Sequence, residues 1–99
     1  MSEYIGQIVR STAGRDQNGI FCVVGVEKDC SFLLLCDGKR RKAAHPKKKK
    51  PRHVQFLTES GAEFDHPVIR ELKRGRPVSD RALRKALCAF KEGFELGKR

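Results

Sequence analysis

The stretch that decides the fold is residues 20–36, IFCVVGVEKDCSFLLLC, in which two apolar runs flank a short polar turn. The first run, IFCVVGV, is apolar at every position, and the second run, SFLLLC, is largely aliphatic. Because Glu27, Lys28 and Asp29 separate the runs, the sequence predicts a hairpin of two strands. A strand that is apolar on both faces lies in the centre of a sandwich, or in a small closed barrel whose outer face another element covers.

Further strands are predicted on both sides of this hairpin. The Asp37-Gly38 pair is a strong hairpin signal, so an antiparallel strand should follow it directly. The predicted strands are residues 4–9, 20–26, 31–36, 39–44 and 53–57. Five short strands with short connections indicate a mainly β protein built on a small five-stranded antiparallel barrel, which we place at residues 1–58.

Residues 39–52, KRRKAAHPKKKKPR, carry nine Lys and Arg side chains and no acidic residue. Pro46 and Pro51 bracket four of the lysines and favour extended backbone before them, so we expect residues 47–50 to form an exposed, stiff loop. The net charge of +10 attracts polyanions, either nucleic acid or an anionic membrane. Membrane binding would lack the usual apolar anchor. A basic face that serves only solubility is the remaining alternative, although acidic residues serve solubility better.

The last third of the chain, residues 59–99, is predicted to be a helical extension. A short helix is expected within residues 64–74, and a longer one begins at the N-cap Ser79 and runs to about residue 94. The longer helix has an apolar stripe at helical spacing, formed by Leu83, Ala86, Leu87, Phe90 and Phe94. We expect this stripe to pack on the barrel or on a partner; part of the extension could instead be disordered.

The composition indicates no cofactor and no enzymatic activity. Cys22, Cys30, Cys36 and Cys88 have no zinc-like spacing and are expected to be reduced thiols without metal. The sequence contains no recognisable nucleophile context, no phosphate loop ending in GK[ST], and no HExxH motif. No apolar run is long enough to span a bilayer, and the N-terminal residues lack a signal-peptide core, so we expect a soluble cytoplasmic protein.

Residues 6–26, GQIVRSTAGRDQNGIFCVVGV, resemble the KOW motif. The matching features are Gly6, apolar Ile8 and Val9, the segment Ala13-Gly14-Arg15-Asp16, and Gly19 before an apolar strand. Residues 33–57, LLLCDGKRRKAAHPKKKKPRHVQFL, are similar to the rest of the barrel in small bacterial KOW-domain RNA-binding proteins. These are relatives of archaeal and eukaryotic large-subunit ribosomal proteins with SH3-like barrels.

This resemblance implies an SH3-like barrel that binds RNA, most directly ribosomal RNA, as a ribosomal or ribosome-associated component in translation, monomeric when free and without catalytic activity. The alternative is a KOW adaptor in transcription or translation whose main contact is protein. The basic segment favours RNA, because several cations on one surface can follow the phosphates of an A-form helix. The residues expected to contact RNA are Arg15, Lys39, Arg40, Arg41, Lys42, Lys47, Lys48, Lys49, Lys50 and Arg52.

Few aromatic side chains are expected to be free for stacking on unpaired bases. Tyr4 is the exposed candidate, whereas Phe21, Phe32 and Phe56 are assigned to the core. We therefore expect recognition of structured RNA by shape and backbone rather than sequence-specific reading of single strands.

Overall fold

The computed structural model describes residues 4–15, 17–29, 31–58, 64 and 66–96. The elements are β1 (Ile8–Ser11), β2 (Ile20–Glu27), β3 (Phe32–Cys36), β4 (Lys47–Lys49), a single 3₁₀ turn (Pro51–His53), β5 (Val54–Phe56), α1 (Pro67–Lys73) and α2 (Asp80–Leu96). The five strands form one antiparallel sheet in the order β4-β3-β2-β1-β5. A mainly β domain with a five-stranded antiparallel sheet and C-terminal helices is therefore confirmed.

The central hairpin of β2 and β3 forms as predicted. Glu27 pairs with Phe32 at the turn, and Cys22 pairs with Cys36 at the open end. Lys28 and Asp29 make the turn with φ values of 53° and 56°, a left-handed conformation that Asp tolerates and that suits a tight hairpin turn. The register shifts between Val23 and Gly25, so β2 carries a bulge that increases its bend.

Two predictions about the basic segment are wrong. Residues 39–44 form no strand, and three of the four lysines expected to form a loop instead form β4, with Lys47 opposite Leu35 and Lys49 opposite Leu33. The Asp37-Gly38 pair does turn the chain. The carboxylate of Asp37 then accepts hydrogen bonds from the backbone N–H groups of residues 39–41, and these residues remain in a loop. These lysines adopt strand geometry because their backbone pairs with β3, and this tertiary pairing overrides their low strand propensity.

The sheet is apolar on both faces, as the composition of β2 predicts. One face carries a cluster made of Val9, Phe21, Val23, Leu33 and Leu35, all at most 3% exposed. The opposite face carries Ile8, Cys22 and Cys36 in one row across β1, β2 and β3. This row packs against the helices, whose buried side chains are Ile69, Leu72, Leu83, Leu87 and Phe90. The C-terminal helices therefore cover the sheet.

The longer helix begins at its predicted cap, and the short helix has a cap that was not predicted. The side-chain oxygen of Ser79 accepts a hydrogen bond from the backbone N–H of Ala82 at 3.0 Å, which confirms Ser79 as the N-cap of α2. α1 begins at Pro67, and Nδ1 of His66 accepts the N–H of Val68 at 3.2 Å. The apolar stripe of α2 is buried at its four described positions, from Leu83 to Phe90. Within the part of the chain that the structure describes, neither helix is long and apolar enough to cross a bilayer.

Candidate nucleic-acid interface

The loop that follows β3 is fixed by one carboxylate. Oδ1 of Asp37 accepts the backbone N–H groups of Lys39 and Arg40 at 2.9 Å and that of Arg41 at 2.8 Å. The carbonyl of Arg41 in turn accepts the N–H of Asp37 at 2.9 Å. Asp37 therefore organises the backbone of this segment, and the side chains of Lys39, Arg40 and Lys42 project into solvent while Arg41 is half-buried. We call residues 37–42 the Asp37 loop.

The Asp37 loop is docked on the first turn of α2. Nη1 of Arg84 donates to the carbonyl of Gly38 at 2.5 Å, and Oδ1 of Asp80 accepts the N–H of Ala43 at 2.7 Å. Gly38 has φ +78°, and a Cβ placed on it would lie 2.2 Å from the backbone oxygen of Asp80. Only glycine permits this approach, which holds the backbone of the loop against the helix.

The lysines of β4 alternate between the two faces of the sheet, as strand geometry requires. Lys49 lies opposite Leu33 and shares its inward face, so its side chain is only 9% exposed. Its Nζ donates to the carbonyl of Ala13 at 2.9 Å. Lys48 points to the other face, where its Nζ forms an exposed ion pair with Glu27 at 3.1 Å. Lys49 therefore has a structural role, whereas Lys48 remains on the surface.

The loop that carries Arg15 lies beside the end of β4. The N–H of Thr12 donates to the carbonyl of His53 at 2.9 Å, and Ser11 Oγ donates to the carbonyl of Ala13 at 3.1 Å. Together with the bond from Lys49, these contacts attach the loop to the 3₁₀ turn and leave Arg15 exposed near its tip. Asp16, which belongs to the KOW-like motif, lies outside the described residues.

The predicted site residues thus separate into two groups joined by β4. One group comprises the cations of the Asp37 loop. The other comprises the exposed residues Arg15, Lys50 and Arg52, which lie on the Arg15 loop and on the 3₁₀ turn to which Thr12 of that loop is hydrogen-bonded; we call it the Arg15 cluster. Lys47, half-buried, and Lys48 lie on the strand between the groups, and Lys49 is withdrawn into the structure. Nine of the ten predicted residues are therefore at least partly exposed.

Sequence reasoning missed three contributors to this surface. Arg84 and Asp80 of α2 hold the Asp37 loop, and no local pattern signals a contact between a helix and a loop so distant in sequence. Phe32 was assigned to the core, but it is half-buried and belongs to neither apolar cluster. The ammonium groups of Lys28 and Lys48 lie 5.6 Å and 6.0 Å from the centre of its ring. The alternation with buried Leu33 and Leu35 is the signal that places Phe32 on the other face.

The described cysteines are free thiols in two environments. Cys22 and Cys36 lie opposite each other on β2 and β3 and are buried, whereas Cys88 on α2 is exposed. Burial raises the pKa of Cys22 to about 12, and burial together with the nearby carboxylates of Asp80 and Asp37 raises the pKa of Cys36 to about 11. Both are therefore protonated at neutral pH. Cys30 lies outside the described residues.

Comparison with known proteins does not assign the chain to a family: no protein-family model matches it, and no curated protein is detectably similar to it.

Proposed function

We propose that this protein binds structured RNA, most directly ribosomal RNA, by placing the cations of the Asp37 loop and the Arg15 cluster along the phosphate backbone. The observation that carries the proposal is the fixed loop: three hydrogen bonds to Asp37 and the contacts with Asp80 and Arg84 order its backbone before any ligand arrives. A preorganised set of cations loses less conformational entropy on binding than a flexible tail would.

Cations outnumber carboxylates around this surface, where the acidic groups are Asp37, Asp80 and Glu27. Residues 39–58 contain no Asp or Glu, and the carboxylate of Asp37 is occupied by backbone N–H groups. Glu27 is paired with Lys48. Phosphate groups would therefore meet cations with little acidic repulsion, and such contacts recognise the RNA backbone without reading base identity.

The connection between β4 and β5 supports the more specific proposal of an SH3-like barrel of the KOW type. These strands lie at opposite ends of the sheet, so a flat sheet would separate them by four strand spacings, or about 19 Å. The chain from Lys49 to Val54 passes through the 3₁₀ turn and can span only about 13 Å. A strong curl of the sheet would bring the two strands together, as a small barrel requires, and would enclose the cluster around Leu33 and Leu35.

The alternative, an adaptor that docks a protein through the stripe of α2, has less support. Leu83, Ala86, Leu87 and Phe90 are buried against the sheet and α1, so these four side chains are already used inside the protein. Phe94, the fifth residue of the predicted stripe, has no described side-chain environment.

Charge-matched double variants test the proposed RNA contact. Lys39→Gln with Arg40→Gln removes two cations from the Asp37 loop, and Lys50→Gln with Arg52→Gln removes two from the Arg15 cluster. The control is Arg74→Gln with Arg76→Gln, since both of these arginines lie against Glu71 on the α1 side. All three variants carry the same net charge, so any difference between them reports position.

The measurement is affinity for a fluorescent RNA hairpin of about 16 base pairs as a function of salt. Wild-type affinity should fall about a hundredfold or more between 50 and 200 mM salt, as expected for five or more phosphate contacts. Each site variant should reduce the logarithmic salt slope by about 1.5, and the control should leave it nearly unchanged. Equal losses in all three variants, or an affinity insensitive to salt, would contradict the proposal.

A further inference from the structure

Phe32, the first residue of β3, lines an open pocket and belongs to neither apolar cluster. The pocket has a volume of ≈ 600 Å³ and is lined by Ser31, Phe32, Lys50, Pro51 and Arg52. Two of its lining residues, Lys50 and Arg52, belong to the Arg15 cluster. A half-buried aromatic ring, a proline and two exposed cations thus share one concave surface at the edge of the proposed RNA contact.

The face of Phe32 is fixed by the strand register. Phe32 lies opposite Glu27, and it alternates with the inward-facing Leu33, so its ring stands on the outer face of the sheet together with Lys48. The helices cover this face only at the end that carries Cys22 and Cys36. The ring is therefore accessible at the uncovered end of the sheet and is held there by a paired strand.

Cations surround this ring. The ammonium groups of Lys28 and Lys48 lie within 6.0 Å of its centre, and Lys50 and Arg52 line the adjoining pocket. An exposed cation–π contact contributes only about two- to fivefold to an equilibrium. Stacking of a nucleobase on an aromatic side chain contributes about five- to 150-fold in affinity. A base can therefore displace a lysine from the ring. The ammonium group of Lys48 also pairs with Glu27, whereas that of Lys28 can then bind a phosphate of the same strand.

We propose that Phe32 and Pro51 form a stacking platform for one unpaired base of the bound RNA, with Lys28, Lys50 and Arg52 binding the flanking phosphates. The inference rests on the proposed RNA-binding function and makes it more specific. The preferred ligand is an RNA helix interrupted by a bulged or looped nucleotide, because the Asp37 loop contacts paired backbone while the platform accepts the base that leaves the stack. Selection is for an unpaired base and not for its identity, since every base has a face that can stack.

The test compares two RNA hairpins of about 16 base pairs that differ only in a single bulged adenosine. Wild-type protein should bind the bulged hairpin about fivefold or more tightly at one fixed salt concentration. Phe32→Leu should remove this preference, because leucine keeps an apolar side chain but has no π face. It should leave the salt slope for the fully paired hairpin unchanged, because it removes no cation. Phe32→Tyr is the matched control and should retain the preference.

A second variant gives a direct signal at the site. The chain contains no tryptophan, so Phe32→Trp introduces a single fluorescent indole at the platform. Its emission should be quenched by the bulged hairpin and little affected by the paired one. This readout decides the question even where Phe32→Leu lowers stability.

The outcomes distinguish the two levels of the proposal. Tight, salt-dependent binding of both hairpins with equal affinity, or unquenched Trp emission when the bulged hairpin is bound, would overturn the stacking platform and leave the phosphate contact standing. Failure of wild-type protein to bind either hairpin would overturn both.

Discussion

Four consecutive lysines have different roles because they occupy successive positions of a strand and its end. Lys48 and Lys50 are exposed, Lys47 is half-buried, and Lys49 is buried with its Nζ on the carbonyl of Ala13. A one-residue change in register would exchange these roles. The composition of the segment predicts its charge, but only the pairing of Lys49 with Leu33 determines which lysine lies inside.

The buried position predicts unequal effects of two neighbouring substitutions. Lys49→Ser should lower the free energy of unfolding by about 1 to 3 kcal/mol, because it removes packed methylene groups and one of the two donors to the carbonyl of Ala13, the other being Ser11 Oγ. Lys50→Ser, the matched control, should change it by less than about 0.5 kcal/mol. Urea unfolding at constant pH measures both. Equal stabilities of the two variants would mean that the amine of Lys49 is solvated and that the loop carrying Arg15 does not depend on it.

The thiols should differ sharply in reactivity. In native protein at neutral pH, iodoacetamide should modify Cys88 before Cys22 and Cys36, which should stay protected until the protein unfolds because they are buried and protonated. Peptide mapping by mass spectrometry measures each site. Rapid modification of Cys22 in the native protein would contradict the burial of Ile8, Cys22 and Cys36 beneath the helices.

The same raised pKa values predict loss of stability at alkaline pH. Unfolded thiols ionise near pH 9.0, whereas folded Cys22 and Cys36 keep their protons until about pH 12 and about pH 11. Above pH 9 the unfolded state therefore binds fewer protons, and the contribution of each thiol to stability falls by up to about 1.4 kcal/mol per pH unit. Cys22→Ala should lower stability at pH 7 but show a shallower decline between pH 9 and pH 10.5. An identical loss of stability with pH in the wild type and in Cys22→Ala would show that ionisation of this thiol does not determine stability at alkaline pH.

Among the helices and strands, the sequence predicts correctly those that have a clear hydrophobic pattern of their own. β2, β3 and α2 have long apolar runs or a clear helical stripe, and their bounds lie close to the prediction. The fourth strand was misplaced because its pairing is decided by β3 and not by its own composition. The Asp37-Gly38 turn was identified correctly. The backbone N–H groups that donate to the Asp37 carboxylate stop a strand from forming, and the hairpin signal does not reveal this side-chain effect.

The Asp37 loop offers a matched pair of glycine substitutions. Gly38 and Gly75 have nearly equal φ values, +78° and +79°, but a Cβ on Gly38 meets the backbone of Asp80, whereas a Cβ on Gly75 meets nothing within 4 Å. Gly75→Ala should cost only the strain of the left-handed conformation, about 1 kcal/mol. Gly38→Ala should cost at least about 2 kcal/mol more, because the loop must leave the helix.

Thermal or urea unfolding gives the two costs, and RNA affinity gives a second readout. Gly38→Ala should also weaken binding of the RNA hairpin, since the cations of the loop lose their fixed positions, while Gly75→Ala should not. Equal costs for the two substitutions would show that the loop approaches α2 less closely than these distances require.

For the whole molecule, the sheet and the helices share one buried cluster and should unfold together. Leu87 is 2% exposed and belongs to the same cluster as Ile8 and Cys22. Leu87→Asp should therefore destabilise the entire protein by more than about 4 kcal/mol, because it buries an unpaired charge. Ala89→Asp, at an exposed position of the same helix, is the control and should have little effect.

Far-UV circular dichroism and the fluorescence of Tyr4 report on the helices and on the sheet, respectively, because the ring of Tyr4 stacks on Phe56 of β5 at 5.5 Å. The two signals should change at the same urea concentration in the wild type and in both variants. A Leu87→Asp protein that loses helical signal but keeps the tyrosine signal would show that the sheet folds without its cover.

The need for a cover was predictable from the sequence, and so was the excess of positive charge, since both follow from composition. The arrangement of the candidate site was not predictable in the same way. It depends on contacts between α2 and the Asp37 loop, and between β4 and the loop of Arg15, which join residues far apart in the chain. The accessible ring of Phe32 likewise depends on where the helices stop covering the sheet.

The position of β4 at the end of the sheet has a consequence for self-association. A terminal strand presents unpaired backbone groups to which another copy of the chain could add a strand, and lysines on such a strand repel an approaching copy. Replacing Lys47 and Lys48 by uncharged residues removes that repulsion as well as two cations. The cationic strand that would attract RNA thus also keeps neighbouring molecules from joining their sheets edge to edge.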